Sequence, residues 1–395
     1  MASLRGKMLD GLSEDTRDFW VDSRVPVLHK PTSARFLREA VCQYHPVLIT
    51  GLIDDWPALQ KWDKDYLIGA TGDRKLNINL TTDGHGDCVK DVCKVSHDKP
   101  LDSPQVLPHF VYPAEHDMTM KEFYELLESS KISSTNCDTG KQPIPYLSQQ
   151  NDNLRQNMPE LLKDIQTTLP LATEAFGSEA STTAYSLDGD EHSIVSGALE
   201  AVNLWIGDER SVSSLHKDHY ENMYAVVSGQ KTFTLLPPTD VAFLAPYTKV
   251  YPALRYAVRS TTNVDAKNTT EGIDTITPEQ PQYKYFDNAQ DAASYYNSQS
   301  NASDVTAHNS VPQLELTNQG CPSETLEWIS LDPEDLDVST KYPLFHTHAT
   351  PLRVTVLPGQ MLYIPAMWYH RVSQKCLTVS VNYWYDQKFD FRYVI

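Results

Sequence analysis

The chain has no Cys-x-x-Cys pair, no long apolar run and no excess of positive charge, and each absence closes off a class of function. Its six cysteines, at 42, 88, 93, 137, 321 and 376, are scattered and none lies beside a spaced histidine cluster. That spacing argues against a zinc finger and against a disulfide framework. Cys88 and Cys93 are expected to be ordinary thiols. No stretch approaches the length needed to cross a bilayer. The first twenty residues carry no apolar block of the kind that opens a secretory signal. The expectation is a soluble protein of the cytoplasm, open also to the nucleus, with no membrane partner. Its Asn-x-Ser/Thr triplets, such as Asn268-Thr269-Thr270, would then never meet the glycosylation machinery.

Charge is plentiful but one-sided. The 395 residues hold 52 Asp and Glu against 33 Lys and Arg, a formal net charge of −19. Such a surface repels nucleic acid on average and attracts basic protein segments. It also simply keeps a protein soluble.

The pattern along the chain changes near residue 196. Before it, helical spacing recurs: Phe36, Leu37, Ala40 and Val41; then 120–128, with Phe123, Leu126 and Leu127; then 158–176, with Leu161, Leu162 and Ile165. Pro46-Val-Leu-Ile-Thr50 reads as a short strand ended by Gly51. After it come short β-branched or alternating runs: 201–206, 223–227, 231–236, 352–356, 361–364 and 377–383. Ser228-Gly229-Gln230 reads as a hairpin turn. This predicts a mainly β protein with flanking helices and a barrel or double-sheet jelly-roll core. A region over 1–140 is expected to pack on a core of 141–395. The polar stretch 258–325, poor in aliphatic residues, is expected as a surface insertion, with Tyr283, Tyr285, Phe286, Tyr295 and Tyr296 as anchors.

Among thirteen histidines, His216 is the informative one, in Ser213-Ser-Leu-His-Lys-Asp-His-Tyr-Glu-Asn222. In a strand, residues i and i+2 share a face, so His216 and Asp218 project together. Two imidazoles and one carboxylate on one face of an octahedral metal form the facial triad of Fe(II) oxygenases and leave three positions open. Alone, His-x-Asp is more often a structural pair. A second histidine far downstream is needed, and His370 follows a strand–turn–strand run. Lys231, opening the strand after the hairpin, is placed to meet a carboxylate. His219 is expected on the opposite face, and His346-Thr-His348 has no strand-matched carboxylate.

The stretches 202–207, Ser214-Leu-His-Lys-Asp-His-Tyr-Glu-Asn-Met-Tyr224, Gly359-Gln-Met-Leu-Tyr-Ile-Pro-Ala-Met-Trp-Tyr-His370 and Val381-Asn-Tyr-Trp-Tyr-Asp386 resemble the two halves of a jumonji-C, cupin-like oxygenase, in its small lysyl hydroxylase branch. Pro46-Val-Leu-Ile-Thr-Gly51 and Asp55-Trp-Pro-Ala-Leu-Gln-Lys-Trp62 resemble the same branch. The resemblance implies a double-stranded β-helix core and the cofactors Fe(II) and 2-oxoglutarate. It implies that His216, Asp218 and His370 are the iron ligands, and that Lys231 binds the far carboxylate of 2-oxoglutarate, assisted by Ser213 and Tyr146. Asn222 and Asn382 would line the metal and oxygen side. It further implies hydroxylation of a lysine in a protein, with GTP-binding proteins of the developmentally regulated class as precedent.

Three departures from the family pattern stand out. The 258–325 segment widens the gap between the iron ligands. Little chain follows Asp386 for the C-terminal dimerising helices of some relatives, so a homodimer stays an open expectation. His346 and His348 are decoys. Other outcomes remain: an N-methyl-lysine demethylase, which commonly carries His-x-Glu and extra reader or zinc modules; a jumonji-type peptidase, for which no His-Glu-x-x-His helix is present; and a non-catalytic scaffold, which would have lost a ligand or the lysine.

Overall fold

A computed structural model describes residues 4–19, 23–96, 105–133, 142–176, 183–185, 191–193, 199–259, 283–299 and 312–387. Two sheets face each other at its centre. The first runs, in spatial order, Val27–His29, Val47–Thr50, Gln360–Ile364, Tyr220–Ser228, Thr378–Asp386 and Leu199–Gly207. The second runs Leu352–Val356, Lys231–Leu236, Tyr369–Gln374, Val212–Lys217 and the two-residue strand His85–Gly86. Along the chain, the last four strands of the first sheet and the first four of the second alternate between the sheets, except that Lys231–Leu236 and Leu352–Val356 follow one another in the second, as in a double-stranded β-helix. The pairings are antiparallel except where Val27–His29 and His85–Gly86 join in parallel. The fold is therefore mainly β with a cupin-like core, as expected.

The strands form where β-branched and aromatic residues alternate, and they bury both faces at the centre. Met223, Ala225, Val381, Tyr383, Met361 and Tyr363 join the larger core cluster, which the N-terminal helices cover. Tyr224, Val226, Phe233, Leu235, Leu362 and Trp368 fill the space between the two sheets. The hairpin at Ser228 turns on Gly229, whose φ of 78° suits glycine; a Cβ there would meet the Leu377 carbonyl at 2.3 Å.

Around the barrel lies a second six-stranded sheet. Its order is Leu314–Thr317, Tyr283–Phe286, Cys88–Ser96, Gln105–Tyr112, Thr248–Val258 and Thr325–Ile329. The described strands of the polar 258–325 segment thus belong to a sheet shared with Cys88–Ser96 and Gln105–Tyr112, and a helix, Ala289–Gln299, packs beside it. Residues 260–282 and 300–311, the triplet at 268–270, Cys137 and the side chains of Tyr295 and Tyr296 lie outside the described residues.

The helix expected at 120–128 extends over Met120–Ser133. Its start is a capping box: Thr119 Oγ1 accepts from the Glu122 amide at 3.1 Å, and Glu122 accepts from the Thr119 amide at 2.6 Å. The helix expected over 158–176 is instead two pieces, a 3₁₀ segment Pro159–Asp164 and an α-helix Pro170–Phe176. Pro170 has no amide hydrogen and disfavours helical geometry at Leu169. Asp164, fully buried at the break, accepts from Lys61 at 2.9 Å, from Trp62 at 3.2 Å and from the Tyr66 hydroxyl. Among the described residues no helix is long and apolar enough to cross a membrane. The five described cysteines are free thiols.

Candidate functional site

His216 and His370 face each other across one ladder of the second sheet, as register partners on Val212–Lys217 and Tyr369–Gln374. A register shift between Ser213 and His216 bends the strand there, a common device for re-aiming side chains beside a site. The two imidazole centroids are 4.3 Å apart. Each ring is pinned through Nδ1, which donates to a backbone carbonyl two residues upstream: Ser214 at 2.6 Å and Trp368 at 3.0 Å. That leaves both Nε2 lone pairs for another partner, the arrangement of metal-ligating histidines. Asp218 completes the group, its Oδ2 lying 3.8 Å from His216 Nε2 and 3.5 Å from His370 Nε2. The carbonyl of Asp218 accepts from the Met367 amide at 2.6 Å, which ties the loop before His370 to the loop after His216.

One ligand atom from each of the three lies within 4.8 Å of the others. Among the described residues this is the one such group of His, Cys, Asp and Glu. Burial pushes the His216 imidazole down, and neighbouring His370 adds to it. Burial is the largest influence on His370 and opposes its protonation, but the hydrogen bond and charge of Asp218, with the Trp368 carbonyl, together outweigh it and raise the imidazole. Asp218 is also penalised by burial, yet the two imidazoles pull its carboxyl down to about 2.

A cavity of about 230 Å³ opens over these three side chains. Lys231 closes its inner end with no exposed surface. Its ammonium donates to the hydroxyls of Tyr224 at 2.7 Å and Tyr146 at 2.9 Å. Burial lowers the Lys231 pKa to about 7, and no carboxylate among the described residues offsets it. A buried cation without an anion is a costly group that an acidic ligand would satisfy. Burial raises the Tyr146 phenol, while a hydrogen bond with Ser213 works the other way. Asn382 Nδ2 donates to Asn222 Oδ1 at 3.2 Å, and Trp205 Nε1 donates to Asn382 Oδ1 at 2.8 Å. Tyr146, Ser213, Asn222, Lys231 and Asn382 all line the cavity with His216, Asp218 and His370.

The donor set and the unbalanced lysine fit Fe(II) and 2-oxoglutarate. Two neutral imidazoles and a carboxylate suit ferrous iron, and a dicarboxylate would bring the missing negative charge to Lys231. The two decoys lie elsewhere. His219 packs on Tyr220 and does not line the cavity. His346 and His348 sit on the helix Pro343–His348, where His348 stacks on Phe243.

Several cavity residues escaped the sequence reading. Tyr224 shares a strand face with Asn222 two residues earlier, so strand parity could have found it. Trp328 and Asp87 reach the site from the outer sheet and its junction with the barrel, and no local signal marks them. Trp328 lies parallel to the His216 ring, centroids 6.3 Å apart. Lys217 lines the mouth, its ammonium 5.3 Å from the Tyr369 ring.

Comparison with known proteins agrees with this geometry. Residues 33–391 match the family model described as a cupin-like domain. JmjC domain-containing protein E of Dictyostelium discoideum is 31% identical over 97% of this chain and 90% of its own length. The human bifunctional peptidase and (3S)-lysyl hydroxylase JMJD7 is 30% identical over 95% and 89%. The Arabidopsis thaliana lysine-specific demethylase JMJ32 is 31% identical over 98% and 89%. With a match spanning nearly the whole chain, and a His-Asp-His cluster beside a buried lysine inside the barrel, the chain belongs to the JmjC family of cupin-like Fe(II)- and 2-oxoglutarate-dependent oxygenases.

Proposed function

We propose that the protein is an Fe(II)- and 2-oxoglutarate-dependent hydroxylase of a lysine side chain in another protein. The observation that carries this reading is the pairing of the His216–Asp218–His370 cluster with a fully buried, anion-free Lys231 at the inner end of the same cavity. When bound, iron and 2-oxoglutarate supply the oxidising power that turns a C–H bond and dioxygen into an alcohol, with release of succinate and carbon dioxide. The remaining roles fall to this chain. His216 and His370 would each present Nε2, and Asp218 a carboxylate oxygen. Lys231 would hold the far carboxylate of 2-oxoglutarate, with Tyr146, Ser213 and Tyr224 beside it. In so dry a setting a charge-assisted hydrogen bond is stronger than at the surface. Asn222 and Asn382, bonded to each other, keep the wall beside the metal ligands polar.

Two observations support lysine as the target. The human relative is named a (3S)-lysyl hydroxylase, and the net charge of −19 favours a basic partner. We take that partner to be a basic segment of a GTP-binding protein of the developmentally regulated class. The name of the Arabidopsis relative favours a second reading, removal of N-methyl groups from lysine. The two differ in product: hydroxylation adds one oxygen to the substrate mass, and demethylation releases formaldehyde. Cleavage of a protein substrate that persists without 2-oxoglutarate would instead point to the peptidase activity in the human relative's name.

Succinate release that requires Fe(II) and rises with a basic protein substrate tests the main reading. His216→Ala should cut it by roughly 100-fold or more, since loss of outer-sphere partners alone costs 10–100-fold. Its circular dichroism should be unchanged. Wild-type turnover by that variant rejects the assignment.

A further inference from the structure

Of the residues lining the cavity, two carry carboxylates, Asp218 and Asp87. Asp218 belongs to the metal cluster; Asp87 has no such role. It sits at the corner where the strand His85–Gly86 of the barrel passes into Cys88–Ser96 of the outer sheet. Its φ is 49°, in the left-handed region that a residue with a Cβ enters at a cost. Backbone conformations of that kind persist where surrounding structure enforces them, and they gather at ligand-binding positions. The enforcement here is visible: the Asp87 carbonyl accepts from Ser214 Oγ at 2.5 Å, from inside the metal-ligand strand. The Asp87 carboxyl is pushed up to about 6 by burial and then by nearby Glu115, and no cation among the described residues offsets either.

The same serine hydroxyl also accepts from Trp328 Nε1 at 3.2 Å. Trp328 is held on its other side by an edge-to-face contact with Phe110, centroids 5.0 Å apart. Ser214 therefore locks together an acidic corner and an aromatic plate on the cavity wall nearest His216. An alkylammonium group calls for this combination: a carboxylate for the charge and an indole for the methylenes and the cation.

We propose that Asp87 and Trp328 form the subsite that receives the cationic end of the substrate side chain, and that they make the enzyme selective for a primary ammonium. The proposal rests on the hydroxylase reading above and deepens it. With its nitrogen held by the Asp87 carboxylate, a lysine would offer its carbon chain to the metal ligands. A trimethylated nitrogen has no hydrogen to donate to that carboxylate and would be held less well.

Binding of a small probe tests this without turnover. The protein, labelled for indole resonances and kept in an amine-free buffer, is titrated with n-butylammonium and separately with 1-butanol, its neutral counterpart. The Trp328 Nε1–H signal reports occupancy. Wild type should bind the ammonium roughly tenfold more tightly than the alcohol, a typical worth for one charge-assisted contact. Asp87→Asn should bring the two within about twofold, because asparagine tolerates the left-handed corner but carries no charge. Trp328→Leu, followed by the amide signals of residues 85–88, should weaken both probes. An Asp87→Asn variant that keeps the full preference for ammonium overturns the proposal, as does a wild type that shows none. Absence of succinate release in the separate turnover assay would sink the oxygenase reading and leave the ammonium subsite standing.

Discussion

Lys231 is the residue whose chemistry is most exposed to experiment. Its folded pKa, about 7, lies below the 10.5 of a free lysine because the site is dry. Folding therefore disfavours the protonated form. The penalty is fully present below pH 7, where it is about 5 kcal/mol, and fades as pH rises toward 10.5. Lys231→Met should raise the melting temperature of the ligand-free protein at pH 6.5 and abolish tight 2-oxoglutarate binding. A variant less stable than wild type would show that the Tyr146 and Tyr224 hydroxyls need the lysine more than the core suffers from it. The same shift predicts a proton taken up with the co-substrate. At pH 8, Lys231 is mostly neutral before binding and charged after, so affinity should weaken as pH rises past 7. Calorimetry of the metal-loaded protein in two buffers of different ionisation enthalpy should find close to one proton gained; zero uptake would contradict the role given to Nζ.

At the scale of elements, the corner before Asp87 depends on Gly84. Its φ is 87°, and a Cβ there would lie 1.9 Å from the Arg210 carbonyl oxygen. Gly84 also accepts from the Val212 amide at 3.0 Å and donates to Thr81 Oγ1 at 2.8 Å, which holds the edge strand against Val212–Lys217. Gly84→Ala should cost more than about 1 kcal/mol and loosen that edge; hydrogen exchange at residues 85, 86 and 212 would register it. An unchanged exchange pattern would show that the corner is held from elsewhere. The barrel strands were legible because their signals are local. The run 223–227 is continuously apolar, 231–236 is rich in β-branched and apolar residues, and Gly229 between them is a turn residue. His216 and Asp218 were legible through strand parity. The outer wall was not. Trp328 lies just past a polar stretch that reads as insertion, and Asp87 is one acid among 52 Asp and Glu. Their meeting is a product of the Cys88–Ser96 and Thr325–Ile329 strands sharing a sheet through Gln105–Tyr112 and Thr248–Val258. The break at Leu169 was readable from Pro170, but the apolar spacing of Leu161, Leu162 and Ile165 masked it.

For the whole molecule, the excess of acid sets how partners arrive. A net charge of −19 speeds encounter with a basic protein and adds little once contact is made. Raising salt from low to several hundred millimolar should increase the apparent KM for a basic protein substrate several-fold, through screening of exposed charges. The KM for 2-oxoglutarate should move less, because Lys231 is shielded from solvent. Equal salt sensitivity for both would mean the surface field plays no special part. The barrel, the outer sheet and the strands Lys75–Thr81 and Ile144–Tyr146 share the lining of the cavity. His216, His370 and Lys231 stand on jelly-roll strands and Asp218 follows directly after one, whereas Trp328 is carried in by strands that wrap around the barrel and Asp87 by the turn joining the two. Descent with modification could thus rewrite which side chain is accepted while leaving the machinery of oxygen handling untouched, so relatives sharing this barrel need not share a target.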